Sequence, residues 1–218
     1  MPSRLTAIVL FLAVLAGACN NSGKGDASFC DTACLNDSLK FIKAEHSLKP
    51  YVYISAKNCM ADTILWSYSG MGINRKMGLH DLLNVSVRLN KSFINSVIYD
   101  TSYAWVMFND CSNGRGYLLK LPYNKSKAIE RKSSAINKLD PKFSVEDGLV
   151  SYTDRGNIFV EDMATGKQTM MTFGKKLETD YDVIHETIDS VNITRKRIWV
   201  KVRIENEWKE LEKNIDLQ

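Results

Sequence analysis

The chain predicts an all-β protein of about four repeated units, and three observations carry that prediction. From Tyr51 onward apolar and polar residues alternate with period two, in short runs rich in Val, Ile, Tyr, Trp and Thr. Turn residues separate the runs, among them Ser69-Gly70, Asn113-Gly114, Arg155-Gly156 and Thr165-Gly166. Paired apolar residues then recur at Leu65-Trp66, Trp105-Val106, Leu149-Val150 and Trp199-Val200. Their separations of roughly 40, 44 and 50 residues are those of units with several strands each. A unit of that size hides its apolar face only against its neighbours, so several must stack.

In chain order, Asp31–Glu45 is expected to form a short helix, because Leu35, Leu39 and Ile42 recur at helical spacing and Asp31 or Asp37 can cap it. Lys49-Pro50 should stop it, since the residue before proline avoids the helical region. Strands are expected at Tyr51–Ser55, Thr63–Tyr68, Asn84–Leu89, Phe93–Tyr99, Tyr103–Phe108 and Tyr117–Leu121, with Pro122 ending the last. Lys125–Ser134 is polar and gives no clear period. Leu149–Thr153, Ile158–Glu161 and Gln168–Phe173 form a meander whose turns centre on Gly156 and Gly166. Tyr181–Thr194 mixes signals. Ile198–Glu205 alternates cleanly, with Ile198, Val200, Val202 and Ile204 on one face, and Glu207–Ile215 answers it. The last unit lacks a fourth strand, which Tyr51–Ser55 is placed to supply, closing a ring. Otherwise the units form an open arc or a β-sandwich.

The meander carries a resemblance. Asp147-Gly148 opens it, Gly156-Asn157-Ile158 with Val160 and Asp162 forms its middle, and Thr165-Gly166-Lys167 leads to Thr172-Phe173. This pattern resembles one blade of a TolB-type or peptidase-associated β-propeller. Glu161 departs from it, standing between Val160 and Asp162 where the family pattern runs straight on. The resemblance implies propeller-like repeats, about four blades, and no particular activity.

The N-terminus reads as an address. Arg4 precedes the apolar run Leu5–Leu15, and Ala16-Gly17-Ala18 sets small residues before Cys19. Residues 1–18 resemble a bacterial lipoprotein signal ending in a lipobox, with Leu15 one place further from the cysteine than the commonest pattern. The resemblance implies cleavage before Cys19, a diacylglyceryl group on its thiol, and acylation of the new amino terminus. Each buried methylene contributes about 0.8 kcal/mol, so two or three chains anchor stably where one does not. A plain secretory signal and an uncleaved membrane helix are the competing readings, and the run is short for a helix that spans. Residues 19–28 are small and polar, a flexible linker, and residues 29–218 form the β-rich domain. Asn20 is not the aspartate that retains lipoproteins at the inner membrane of enteric bacteria, so the analogy favours the outer membrane.

Without the signal the formal charge of +4 becomes +3, with Lys, Asp and Glu interspersed, which predicts no nucleic-acid footprint. Cys30, Cys34, Cys59 and Cys111 remain, an even number in an exported chain, and favour two disulfides. Three connectivities are open, and the preferred ones tie the Cys30–Cys34 segment to Cys59 and Cys111. No G-x-S-x-G, H-E-x-x-H or phosphate-binding glycine loop occurs. His46, His80 and His185 are far apart, with a local His80–Asp81 hydrogen bond as the one small motif. Asp154 and Asp162 read as turn-capping residues. The loop Asn109–Gly116 offers oxygens to calcium but lacks EF-hand spacing. Trp66 and Trp105 read as core. The expectation is therefore no catalytic residues, no metal and no cofactor. A non-enzymatic, lipid-anchored binding or scaffold module of the cell envelope follows, its partners the membrane and an envelope protein or glycan. An accessory subunit of an envelope enzyme and a purely structural lipoprotein are the alternatives.

Overall fold

The alternating run that starts at Tyr51 folds into successive hairpins, because each run buries one face and meets a tight turn at its end. The computed structural model describes residues 34–173 and 184–217. The first sheet holds β1 (Ser38–Ile42), β2 (Tyr51–Lys57), β3 (Met60–Ser67) and β4 (Arg75–Gly78) in that order. A short helix α1 (Leu79–Leu83) and a 3-10 turn (Lys91–Phe93) lead to the second sheet. It is β5 (Ile94–Tyr99), β6 (Tyr103–Asn109), β7 (Gly116–Pro122) and β8 (Glu130–Lys132), again in order.

The third and fourth sheets interleave. β9 (Ala135–Ile136) joins the third, whereas β10 (Phe143–Val145) crosses to the fourth. The third sheet then adds β11 (Leu149–Asp154), β12 (Asn157–Asp162) and β13 (Gln168–Thr172). After α2 (Ile184–Thr187), the fourth adds β14 (Ile188–Ile193), β15 (Arg197–Ile204) and β16 (Glu207–Asn214), with β10 parallel to β14. Among the described residues the result is all-β: four four-stranded sheets, none of them closed. Each of the four recurring apolar pairs falls in a middle strand, namely β3, β6, β11 and β15.

Three apolar cores lie between successive sheets. One gathers Val52, Ile54, Ile64 and Trp66 of the first sheet with Val106, Phe108, Leu119 and Leu121 of the second. The next joins Trp105 and Leu118 to Val150 and Tyr152 of the third. The last joins Ile158 and Val160 to Val191, Ile198, Val200 and Val202 of the fourth. Strand alternation makes this stacking work: Val106 and Phe108 face one neighbour while Trp105 and Met107 face the other. Gly116 sets the spacing at one point, because a Cβ there would stand 2.2 Å from the Ala135 carbonyl oxygen.

The Gly156 turn is as expected. Arg155 and Gly156 both have positive φ, 46° and 77°, and Asp154 pairs with Asn157 across them, the two-residue hairpin that matches strand twist. Ile198, Val200, Val202 and Ile204 are all buried.

Three expectations fail. Ser38–Ile42, inside the expected helix Asp31–Glu45, is the strand β1, antiparallel to β2. Leu39 and Phe41 alternate onto the first core, and β2 supplies a partner for every residue of β1, which outweighs a short stretch of weak helical spacing. Asn84–Leu89 is not a strand. Asn84 closes α1 with φ 58°, and the segment touches its neighbours through single bridges, Arg88 to Met60 and Asn90 to Cys34. Its alternation is real, since Val87 and Leu89 are buried, but it is satisfied by packing rather than by a ladder. Finally, the fourth strand of the last sheet is β10 and not Tyr51–Ser55, which lies within β2, between β1 and β3. A strand already hydrogen-bonded on both edges has none left to offer.

Candidate functional site

The seam between the second and third sheets has a polar outer end. On β6, Tyr103 and Trp105 point toward the third sheet, and the register sets Lys120 of β7 opposite Trp105 and Glu130 of β8 opposite Lys120. From the facing sheet, β12 sends Phe159 and Glu161, with Glu161 opposite Gln168 of β13. Four strands of two sheets thus bring one lysine among rings and carboxylates.

The Lys120 ammonium lies 4.8 Å from the Trp105 ring centroid and 5.1 Å from that of Tyr103. Its Nζ is 2.9 Å from Glu161 Oε1 and 3.8 Å from Glu130 Oε1. Glu161 is only 3% exposed and takes a second bond, 2.6 Å, from Gln168 Nε2. Desolvation of both charges is offset by a direct pair, a second donor and the electron-rich ring faces. Around it, Tyr99 stacks on Tyr103 at 5.2 Å, Tyr152 on Phe159 at 5.3 Å, and Lys132 stands 4.4 Å over the Tyr152 ring. The Tyr103 hydroxyl donates to the Met163 carbonyl at 2.5 Å. Burial raises the Tyr103 phenol above its ordinary pKa, and nearby Lys120 opposes that rise.

An open groove of about 780 Å3 runs from this cluster over the second sheet. Thr101, Ser102, Tyr103, Lys120, Asn124, Lys127 and Glu130 line it. Hydroxyls, an amide, two ammonium groups and a carboxylate beside one aromatic ring suit hydrogen bonding to a polar ligand.

Of the residues singled out in the sequence, Cys19 and Cys30 lie outside the described residues. Cys34 and Cys59 are joined as a disulfide, one of the preferred pairings, and Cys111 is also disulfide-bonded. His46 Nδ1 accepts from the Leu48 N–H at 3.1 Å. His80 Nδ1 meets the Ser86 hydroxyl at 3.2 Å instead of Asp81, since Ser86 is carried past it by the turn after α1. The side chain of His185 lies outside the described residues. Asp162 caps its turn, accepting from the N–H groups of Ala164 and Thr165 and the Thr165 hydroxyl. At Asp154 it is the carbonyl that accepts, from Asn157 at 3.4 Å. Asp110 Oδ1 is occupied by the N–H groups of Arg88 and Ser112 and the Ser112 hydroxyl. Trp66 and Trp105 are buried, as expected of core residues.

Lys120 and Glu161 escape sequence reading because they are 41 residues apart. The single local signal is that Glu161 interrupts the blade-like pattern. Among the described residues no group of three or more His, Cys, Asp and Glu is placed to hold a metal, and no helix is long and apolar enough to cross a membrane. The sequence matches no protein-family model and no curated protein.

Proposed function

We propose that the protein is a non-enzymatic binding module of the bacterial cell envelope, tethered through lipid on Cys19, with the groove beside Lys120 as its binding surface. Its four sheets are read as blades of an open, propeller-like arc, because their cores lie between successive sheets in chain order. The observation that carries the binding role is the open polar groove beside a cation fixed between Tyr103, Trp105 and Glu161. A pre-organised charge among hydroxyls and an amide suits a polar glycan or a protein loop, with little ordering cost on binding. The extracellular chemistry of the Cys34–Cys59 disulfide supports an exported location.

Two experiments test the two halves. Fatty-acid labelling should mark the wild type and not Cys19→Ala, and equal labelling removes the tether. Affinity capture from envelope extracts should recover a specific protein or glycan with the wild type. Ser102→Arg, exposed on the β5–β6 turn, should fill the groove and abolish that capture while leaving the circular dichroism and melting curve unchanged. Capture unaffected by Ser102→Arg excludes the groove.

A further inference from the structure

We propose that a second groove, between the first and second sheets, binds phosphoryl groups through Arg75, Arg131, Lys125 and Lys127. It holds about 550 Å3 and lies across the Asn124–Ala128 loop from the groove described above, sharing only Lys127 and Ala128 with it. The proposal stands independently of the role assigned to that other groove.

The four cations come from three places. Arg75 opens the edge strand β4, and its guanidinium lies 5.1 Å from the Trp66 ring opposite it. Arg131 is the middle residue of β8, so alternation points it away from Glu130 and Lys132. Lys125 and Lys127 project from the exposed loop between them. One carboxylate, Asp81, also lines the groove. Four cations against one acid leave a local surplus of three, in a chain whose whole surplus is four.

Two features separate this patch from an ordinary solvated face. First, both arginines are fixed through one nitrogen. Arg75 Nη1 donates to the carbonyls of Pro122 at 2.6 Å and Asn124 at 2.8 Å, and Arg131 Nη1 donates to Leu82. Each guanidinium is thereby held in place while its other N–H donors have no acceptor among the described residues. Second, none of the four cations has a carboxylate partner among the described residues. Other cations, Lys57 and Lys196 among them, lack one too; what sets these four apart is that they line one groove with a single carboxylate, Asp81. Planar forks with free donors, flanked by two mobile ammonium groups, match a tetrahedral dianion with several acceptor oxygens. A free phosphate ester and a phospholipid headgroup present the same chemistry.

The test uses the mature chain, residues 19–218, carrying Cys19→Ser so that neither the apolar run Leu5–Leu15 nor an acyl anchor adds its own membrane affinity. Pyrophosphate is titrated while backbone amide resonances are followed, and sedimentation is measured with vesicles of phosphatidylglycerol and phosphatidylcholine in equal parts. Saturable binding is expected in at least one arm, shifting the amides of residues 124–131. Lys125→Glu with Lys127→Glu should weaken it at least about tenfold, and both positions are exposed, so the fold is not at risk. Lys57→Glu with Lys196→Glu, both exposed and making the same change in net charge, is the control and should have at most a small effect. The tighter arm identifies the source as free ester or headgroup. No saturable binding in either arm, or equal weakening by Lys57→Glu with Lys196→Glu, overturns the proposal.

Discussion

The seam between the third and fourth sheets and the seam between the second and third are built on opposite principles. The former is aliphatic: Ile158, Val160, Ile188, Val191, Ile193, Ile198, Val200 and Val202 are each 3% exposed or less. β-Branched residues fit a pleated surface and carry no polar atoms, so burial there is all gain. The latter mixes Trp105, Tyr103, Tyr152 and Phe159 with the Lys120–Glu161 pair. It also borders the buried polar atoms that lack a hydrogen bond among the described residues: Trp105 Nε1, Asn109 Oδ1 and Asn137 Nδ2. Trp105 and Asn109 lie on the same face of β6, and the Asn137 amide stands 3.3 Å from where a Cβ on Gly116 would be. Groups left unpaired in this way cost stability. The aliphatic seam holds the sheets together, whereas the mixed seam leaves polar atoms unpaired, with Asn109 and Asn137 at the end of β6 away from the groove.

The comparison breaks most directly at Glu161. Glu161→Leu should destabilise the protein by about 3 kcal/mol, because it strands the Lys120 ammonium among rings. Lys120 keeps Glu130 at 3.8 Å and some solvent contact, which places the loss at the low end for such pairs. Adding Lys120→Met should restore stability to within about 1 kcal/mol of wild type, since hydrocarbon then fills the seam as it does next door. Urea denaturation of the single and double variants measures both. A single variant as stable as wild type means the pair is not a constraint and the contrast between seams fails.

The two buried tryptophans sharpen the contrast. Trp66 Nε1 donates to the Pro122 carbonyl at 2.9 Å, whereas Trp105 Nε1 has no acceptor among the described residues. Trp66→Phe loses a hydrogen bond and leaves a void, about 2 kcal/mol together. Trp105→Phe leaves a similar void but removes an unsatisfied donor, so its cost should be about 1 kcal/mol or less. Equal costs in thermal unfolding would mean that the Trp105 indole finds a partner in solution.

Much of the scaffold was legible because it depends on neighbours in sequence. The Gly156 hairpin, the inward face of Ile198 to Ile204 and the spacing of the four middle strands follow from periodicity and turn chemistry. What failed depends on partners far away. β1 reads as a weak helix until β2 is beside it, and β10 could be placed in the fourth sheet only by knowing that β14 waits there, 48 residues on, with Phe143 opposite Val191. The candidate site is the extreme case, since its lysine and glutamate sit on different sheets. Glu161, which departs from the meander's resemblance, was its one trace.

The smallest expected effect is at the rim of the aliphatic seam, where charge is kept out of the core and joins the two sheets at their edge. Arg195 of the β14–β15 turn donates to Glu146 Oε1 at 2.6 Å and to Asp162 Oδ2 at 3.0 Å, and its own N–H reaches Glu146 Oε2 at 2.9 Å. The Arg195 backbone N–H, and then its guanidinium, hold the Glu146 carboxyl below its ordinary value of 4.5. Burial pushes Asp162 up, but hydrogen bonds from Thr165, Arg195 and Ala164 outweigh it, so it too lies below its ordinary 3.8. Depressed folded values mean that the unfolded chain binds protons first. The stabilisation is therefore fully present above about pH 4.5 and drains away as the pH falls through the lowered folded values. Arg195→Gln should flatten this acid limb without abolishing it, since the backbone donor to Glu146 and the Thr165 bonds to Asp162 survive. Added salt should flatten it further, because Glu146 and Arg195 are partly open to solvent. Urea midpoints between pH 3 and 6, compared for wild type and Arg195→Gln, read the difference. An unchanged acid limb would assign it to other carboxylates and leave the aliphatic seam to join the sheets unaided.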